Sequence, residues 1–263
     1  MKLSESPMSF RFLTFNIQNG QPWSDEPTKP VVDLEGVCEF LASQDADIIC
    51  LQEVERGFDG GLQLEPPPHY GMLRSLLPNY DSVFGYPMRN ELEIPFGLGL
   101  AIFSRTTLTG FARTDLPAAP ITFEFEGKTR NASRRLLISA KTMIEGSPIN
   151  ILNTHLQAFF MIKSSSNEHL DQRNLVELKL REQAGASILA GDMNSAPAET
   201  LVEQFQRAGF ESVQTTEPTW RRMPYVVDHI FHNAQIRCLD RQVVPTTTSD
   251  HHALVADFEF AEA

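Results

Sequence analysis

Apolar residues fall along this chain mostly in short runs of strand period, interrupted by fewer stretches of helical period. Residues 9–15 (Ser-Phe-Arg-Phe-Leu-Thr-Phe) alternate at their start and predict a strand that ends at polar Asn16. Residues 47–51 form a continuous apolar run suited to a strand buried on both faces, leading into Gln52-Glu53. Residues 187–190 have the same character. Further strands are expected over 80–84, 97–103, 121–125, 135–144, 149–153, 226–231, 236–243 and 253–260. Val31, Leu34, Val37, Cys38 and Leu41 recur at helical spacing, with Pro30 as a start signal. Other helices are expected over 70–77, over 167–183 with Leu170, Leu175 and Leu178 along its length, and over 199–208.

Residues 20–30 carry three prolines, and residues 57–68 carry three glycines and a Pro-Pro-Pro run, so both read as loops. No repeat of solenoid period and no low-complexity linker divides the chain. Strands dominate and helices interrupt them irregularly. That mix predicts one α/β domain with a partly antiparallel sheet and a core over about 9–260.

Composition narrows the class. The 263 residues are 41% hydrophobic, ordinary for a globular chain, and no apolar run approaches the roughly 20 residues of a membrane span. Cys38, Cys50 and Cys238 are too few and too scattered for a disulfide framework or a structural zinc site. No apolar stretch precedes Pro7, so no secretory leader is read and a cytoplasmic location is expected. With 22 Lys and Arg against 34 Asp and Glu, the formal charge is −12. That balance argues against passive coating of duplex nucleic acid or an anionic bilayer. Stable membrane insertion is not expected, and no protein partner is readable.

Several predicted strands end in a polar residue able to bind metal or phosphate: Asn16, Glu53, His155 and Asp192. Open α/β sheets place their sites outside the carboxyl ends of buried strands. Asp192 and Asn194 lie two apart and would face the same way if the backbone stayed extended. Asp228 interrupts an apolar strand and should need a donor if buried. Ser249-Asp250-His251-His252 brings an acid and an imidazole together before the last strand.

Six stretches carry a resemblance when taken in order: Thr14-Phe15-Asn16, Leu51-Gln52-Glu53, Asn153-Thr154-His155, Gly191-Asp192-Met193-Asn194, Val227-Asp228-His229-Ile230 and Ser249-Asp250-His251. From about Phe10 to Phe260 the chain resembles the endonuclease/exonuclease/phosphatase superfamily. That group includes pancreatic-type deoxyribonucleases, abasic-site endonucleases, neutral sphingomyelinases, inositol-polyphosphate 5-phosphatases and deadenylases. The resemblance implies a four-layer α/β/β/α sandwich with two mixed β-sheets, and phosphoester hydrolysis dependent on Mg2+ or Mn2+.

Carried over residue by residue, the resemblance makes Glu53 the principal metal ligand, with Asn16 beside it and Asp250 as a further contributor. Asp192 would orient or deprotonate the attacking water, and Asn194 would hold that water or a phosphate oxygen. His251 would bind the phosphoryl oxygens, backed by Asp228. His155 occupies a position that is histidine in the deoxyribonuclease, sphingomyelinase and phosphatase branches, and tyrosine in the abasic-site branch. These roles suit hard-cation chemistry, in which magnesium keeps several waters and takes one or two carboxylates. The first substrate expected is a phosphodiester of DNA or RNA. The alternative is a small phosphorylated or lipid headgroup substrate. A binding module that merely kept the fold should have lost Glu53, Asp192 or His251, and all three are present.

Arg134 and Arg135 beside Arg130, and Arg221 beside Arg222, are basic clusters in an acidic chain and candidate contacts for substrate phosphates. Loops 57–68 and 158–167 flank motif residues and are where selectivity is expected. His169 and Arg173 are read as one solvated helix face. His229, His232 and His252 are read as structural or surface residues, and Cys50 as an inert core thiol. Asn131-Ala132-Ser133 matches a glycosylation sequon, discounted without a secretory route.

Overall fold

Strand alternation sorts the apolar side chains onto both faces of two six-stranded sheets in the computed structural model, which describes residues 9–24, 31–55, 63–88, 99–214 and 216–261. With strands numbered along the chain, one sheet runs β13 (Ile236–Val244), β14 (Ala253–Phe260), β1 (Ser9–Asn16), β2 (Ile48–Gln52), β4 (Leu100–Ser104) and β3 (Asp81–Gly85). The other runs β11 (Phe210–Ser212), β12 (Asp228–Asn233), β10 (Ser187–Asp192), β9 (Ser147–His155), β8 (Arg135–Ile144) and β5 (Thr109–Leu116). A separate hairpin joins β6 (Thr122–Phe125) to β7 (Lys128–Asn131).

The inner faces meet in one apolar layer. Phe10, Phe12, Ile48, Cys50 and Ile102 pack there against Leu136, Ile138, Ile151, Ile188 and Ile230. The alternate positions turn outward: Leu13, Phe15, Ile49 and Leu51 meet Val37 and Leu41 of α1 (Leu34–Ser43) and Leu73 of α2 (Pro68–Leu76). On the far side, Leu152, Leu189 and Phe231 meet Val176 and Leu180 of α3 (Asp171–Arg181) and Phe205 of α4 (Leu201–Arg207). The architecture is the four-layer α/β/β/α sandwich with two mixed sheets that the resemblance implies.

Each sheet holds one parallel pair at its centre, β1 with β2 and β9 with β10. Their carboxyl ends are joined across the interface. Asn153 donates to the carbonyls of Leu51 and Ala101 at 3.0 and 2.9 Å and accepts from Gln52 Nε2 at 2.8 Å. Both amides are fully buried, and the three bonds of Asn153 to Leu51, Ala101 and Gln52 fix one sheet on the other beneath the strand ends.

Three strands were not expected. β5 is an exposed edge with a glycine and alternating charges, β7 is wholly polar, and β11 has three residues. None carries an apolar period. α1 starts on Asp33, whose Oδ1 accepts from the Gly36 N–H at 2.8 Å, while Val31 projects into solvent. The expected start at Pro30, and parts of the expected loops 20–30 and 57–68 and strand 97–103, lie outside the described residues. On α3 the buried positions are Gln172, Arg173, Val176 and Leu180, and Leu178 is exposed. Arg173 is therefore not a solvated partner of His169. Its guanidinium donates to Ser166 Oγ, Asn167 Oδ1 and Thr200 Oγ1, while His169 stacks on Phe159.

Candidate active site

The parallel pairs deliver their last residues to one edge of the sandwich. Register sets Asn16 beside Gln52, and Asp192 between His155 and Asp228. His251 arrives on the segment before β14, which Ser249 ties to β1 through its hydroxyl on the Asn16 carbonyl at 2.7 Å. The chain turns sharply there. Gln18, Asn19, Glu53 and Asn194 all adopt φ between 46° and 57°, the left-handed region that non-glycine residues rarely enter. Asp192 and Asn194 are thus not on extended backbone: the Asn194 N–H donates to Asp192 Oδ1 at 2.9 Å, and its side chain donates to the Leu156 carbonyl at 3.0 Å.

Gly191 has no alternative. Its φ is 142°, and a Cβ there would stand 1.8 Å from the Thr154 carbonyl oxygen. Its bare backbone lets β9 and β10 close up immediately before Asp192.

Asn16 Nδ2 bridges two acids, donating to Glu53 Oε1 at 3.1 Å and Asp192 Oδ2 at 3.0 Å, while its Oδ1 accepts from the Gln18 N–H. His155 Nε2 lies 3.5 Å from Asp192 Oδ2, and His251 Nε2 lies 3.8 Å from the same atom. His251 Nδ1 bonds Asp228 Oδ2 at 2.8 Å. Asp228 therefore sits behind the imidazole, which is the donor its burial calls for. Its other oxygen, Oδ1, is buried without a hydrogen-bond partner. Asp250 accepts from Trp220 Nε1 at 3.2 Å and Arg222 Nε at 2.7 Å.

Burial sets the charges. It would pull His251 down, but Asp228, Asp192 and Asp250 hold the imidazole up at about 10, so it is a cation at neutral pH. Burial and Asp228 push the Asp192 carboxyl up to about 7. Burial and Asp250 raise Glu53 as well. Buried acids of raised pKa gathered on one wall are a charge arrangement that a divalent cation relieves, and their oxygens are the donors a hard cation takes. The carboxylates of Glu53 and Asp250 fit such an ion, while the Asn16 Nδ2 points at Glu53 and Asp192 as a donor and so fixes these acids in place; it is not the ligand expected from the resemblance. Asp192, Asp228 and His251 also place ligand atoms within 4.8 Å of one another. The Asp228–His251 bond occupies two of those atoms, which suits that trio to holding a proton.

These groups line a cavity of about 340 Å³. Glu53, Asp192, Asn194, His155, Asp250 and His251 reach its wall, as the sequence led one to expect. Asn16 lies beneath it and Asp228 behind it. Of the arginines, Arg135 lines the cavity; Arg134 packs against Met88 Sδ at 2.9 Å, and the Arg221 guanidinium is spent on the Thr246 carbonyl. Arg222 takes the place expected of Arg221. His229 is buried on Ser212 Oγ, and Cys50 is buried with its thiol pKa raised, so both are core residues. Sequence reading missed Trp220, and Phe123 and Phe125 of β6, all on the wall. Only the interleaved aromatics of Phe-Glu-Phe signalled β6 as unusual.

The model of the endonuclease/exonuclease/phosphatase family matches residues 13–251. Among curated proteins nothing matches the sequence. Solved structures share the fold. An endonuclease/exonuclease/phosphatase from Beutenbergia cavernae is 20% identical with a TM-score of 0.71, over 97% of this chain and 72% of that one. The human Nocturnin catalytic domain with bound sulfate is 18% identical with a TM-score of 0.63, over 97% and 94%. A Bacteroides thetaiotaomicron mannosyl-6-phosphatase is 15% identical with a TM-score of 0.65, over 95% and 100%. With a family model spanning most of its length and a sandwich that brings all six motifs to one edge, the chain belongs to the endonuclease/exonuclease/phosphatase family.

Proposed function

We propose that this chain is a Mg2+- or Mn2+-dependent phosphodiesterase that cleaves nucleic acid presented one nucleotide at a time, as at a strand end, within a single cytoplasmic domain. As a member of its family it is a hydrolase of phosphoester bonds. One observation carries the finer reading: Asn16, Glu53, His155, Asp192 and His251 converge within hydrogen-bonding distance or nearly so, although up to 235 positions separate them (251 − 16).

In this reading Glu53 and Asp250 would hold the cation, with Asn16 fixing Glu53 through its Nδ2, and the ion would supply charge stabilisation on the phosphoryl oxygens. Asp192 Oδ2 accepts the proton of the attacking water, and the second N–H of Asn194 holds that water or a phosphate oxygen. His251 donates from Nε2 to a phosphoryl oxygen, and Asp228 on Nδ1 keeps the ring charged and oriented. His155 adds a second imidazole beside the phosphoryl group. Among the described residues of the wall, Arg135, Arg222 and the protonated His251 are the cations, set against several carboxylates, which is too few for a tract of duplex phosphates.

The small cavity, together with a structural neighbour named as a mannosyl-6-phosphatase, supports a second reading, a phosphomonoesterase or headgroup hydrolase. Incubation with magnesium on plasmid, single-stranded oligonucleotide, sphingomyelin and inositol polyphosphate separates the two. Cleavage of the oligonucleotide is expected, and cleavage of only the last two substrates would replace the first reading with the second. Asp192→Asn and His251→Ala should each remove activity on the order of a hundredfold or more with the thermal transition kept.

A further inference from the structure

The cavity has an apolar side that the hydrolytic chemistry does not use. Phe123 and Phe125 lie two apart on β6, so both rings project from one face of the β6–β7 hairpin. Glu124, between them, bonds Thr129 across the hairpin at 2.6 Å. The two-residue turn Glu126-Gly127 has positive φ at both positions, the form that matches strand twist and keeps a short hairpin straight. Facing the hairpin, the turn at residues 158–162 contributes Ala158, Met161 and Ile162. Trp220 completes the wall, and its ring centroid is 6.2 Å from that of His251. The apolar wall therefore begins at the imidazole that meets the phosphoryl group.

This wall is built to stay in place. Gln172 of α3 accepts from the Gln157 N–H and donates to the carbonyls of Pro117 and Ser133, while Gln157 Oε1 accepts from the Ser133 N–H. Two buried amides thus clamp both ends of the excursion that carries the hairpin. Ala119 and Ala132 at its base pack on Phe159, with Ile121 and Ile162 against them.

We infer that this side of the cavity is a stacking pocket for a nucleobase of the substrate, with Phe123, Phe125 and Trp220 as its rings. The inference rests on the phosphodiesterase reading and names the group that reading leaves unplaced. Rings offer flat faces, which pair with planar groups whatever their edge pattern. Phe123, Phe125, Ala158, Met161 and Ile162 bring no side-chain hydrogen bond to a base edge, so stacking on this side does not choose among the four bases. The cavity is near the low end of the roughly 300–1,000 Å³ usual for ligand pockets, and the phosphoryl group shares it. One flat ring fits that remainder better than an acyl chain. Arg130 and Lys128 pair with Phe123 and Phe125 across the hairpin, which puts positive charge beside an anionic strand.

Trp23 and Trp220 are the two tryptophans of the sequence, so Trp23→Phe leaves Trp220 as the single reporter. In that background, Asp192→Asn with magnesium holds a dinucleotide uncleaved. Quenching of Trp220 is then titrated with dinucleotides of each base, with the dinucleotide lacking the base at the cleaved end, and with a phosphocholine lysolipid. Base-bearing dinucleotides should bind at least about tenfold tighter than the abasic one, with little difference between bases. Adding Phe123→Ala and Phe125→Ala should bring the two to within roughly a factor of two. Equal binding of base-bearing and abasic ligands before those changes, or tighter binding of the lysolipid, would overturn the pocket. Separately, if the unaltered enzyme hydrolyses base-bearing and abasic oligonucleotides alike, the pocket fails and the hydrolase reading stands. If it hydrolyses neither while quenching still depends on Phe123 and Phe125, the pocket stands and the hydrolase reading fails.

Discussion

Asp228 Oδ2 lies 2.8 Å from His251 Nδ1, and both groups are buried at the meeting of β12 with the segment before β14. A carboxylate so placed opposes the effect of burial on the imidazole and keeps it protonated to about pH 10. The rate should therefore rise with pH as Asp192 loses its proton, with an acid limb near or below 7, because a cation at Glu53 draws that limb lower. It should fall again near 10 as His251 is deprotonated. Asp228→Asn removes the charge that raises the imidazole while burial continues to lower it. The alkaline limb should move down by at least about one pH unit, with kcat/KM reduced on the order of a hundredfold at pH 8. A pH–rate profile in which the alkaline limb does not move would refute this role.

Cation binding should be visible without turnover. At about 100 times Kd, an ion that binds only the folded chain stabilises it by about 2.7 kcal/mol, or roughly 5–10 °C in Tm for a chain of this size. Magnesium or manganese should produce that shift, and Glu53→Gln should abolish it. Glu53 is raised by burial and by Asp250, so its ionised form opposes folding in the metal-free protein. The metal-free Glu53→Gln protein should melt no lower than its parent. Scanning calorimetry with and without the ion checks both statements.

Gly191→Ala should destabilise by about 3 kcal/mol, since the new methyl meets the Thr154 carbonyl and the φ of 142° is strained for alanine. β9 and β10 must part to admit it, which displaces Asp192 from His155. Activity should fall beyond the loss of folded protein. A variant with the parental Tm and rate would show that close approach of these strands is not required.

Gln172→Leu keeps the size of the residue and strands the Gln157 N–H and the carbonyls of Pro117 and Ser133. Stability should drop by about 3 kcal/mol. Because the clamp places the hairpin and not the reacting groups, KM should rise more than kcat falls. Steady-state kinetics with an oligonucleotide decides this, and a change confined to kcat would sink it.

The inner strands could be read from the chain because their period was intact. β1, β8 and β14 lie within a residue of their expected bounds, and Asn16, Glu53, His155 and Asp192 fall at or just past the ends of buried strands. β5 and β7 could not be read, because they are held by backbone hydrogen bonds and neighbours, which leave no mark on side-chain period. Arg173 and Gln172 misled for the opposite reason. Polar residues normally signal solvent, but here the two Nη atoms of Arg173 and the Gln172 amide find partners on neighbouring segments.

Residue order alone placed acids and imidazoles at strand ends and set six motifs in the order that resembles a phosphoester-hydrolase family, since these are local patterns. Tertiary structure decided the rest. Whether the buried Asp228 meets His251, and whether Arg221 or Arg222 turns to the cavity, depends on how two sheets and their loops dock. So does the placement of Phe123 and Phe125 opposite Met161. Those are contacts between positions far apart in the chain, settled by packing and hydrogen-bond satisfaction, which no local spacing encodes.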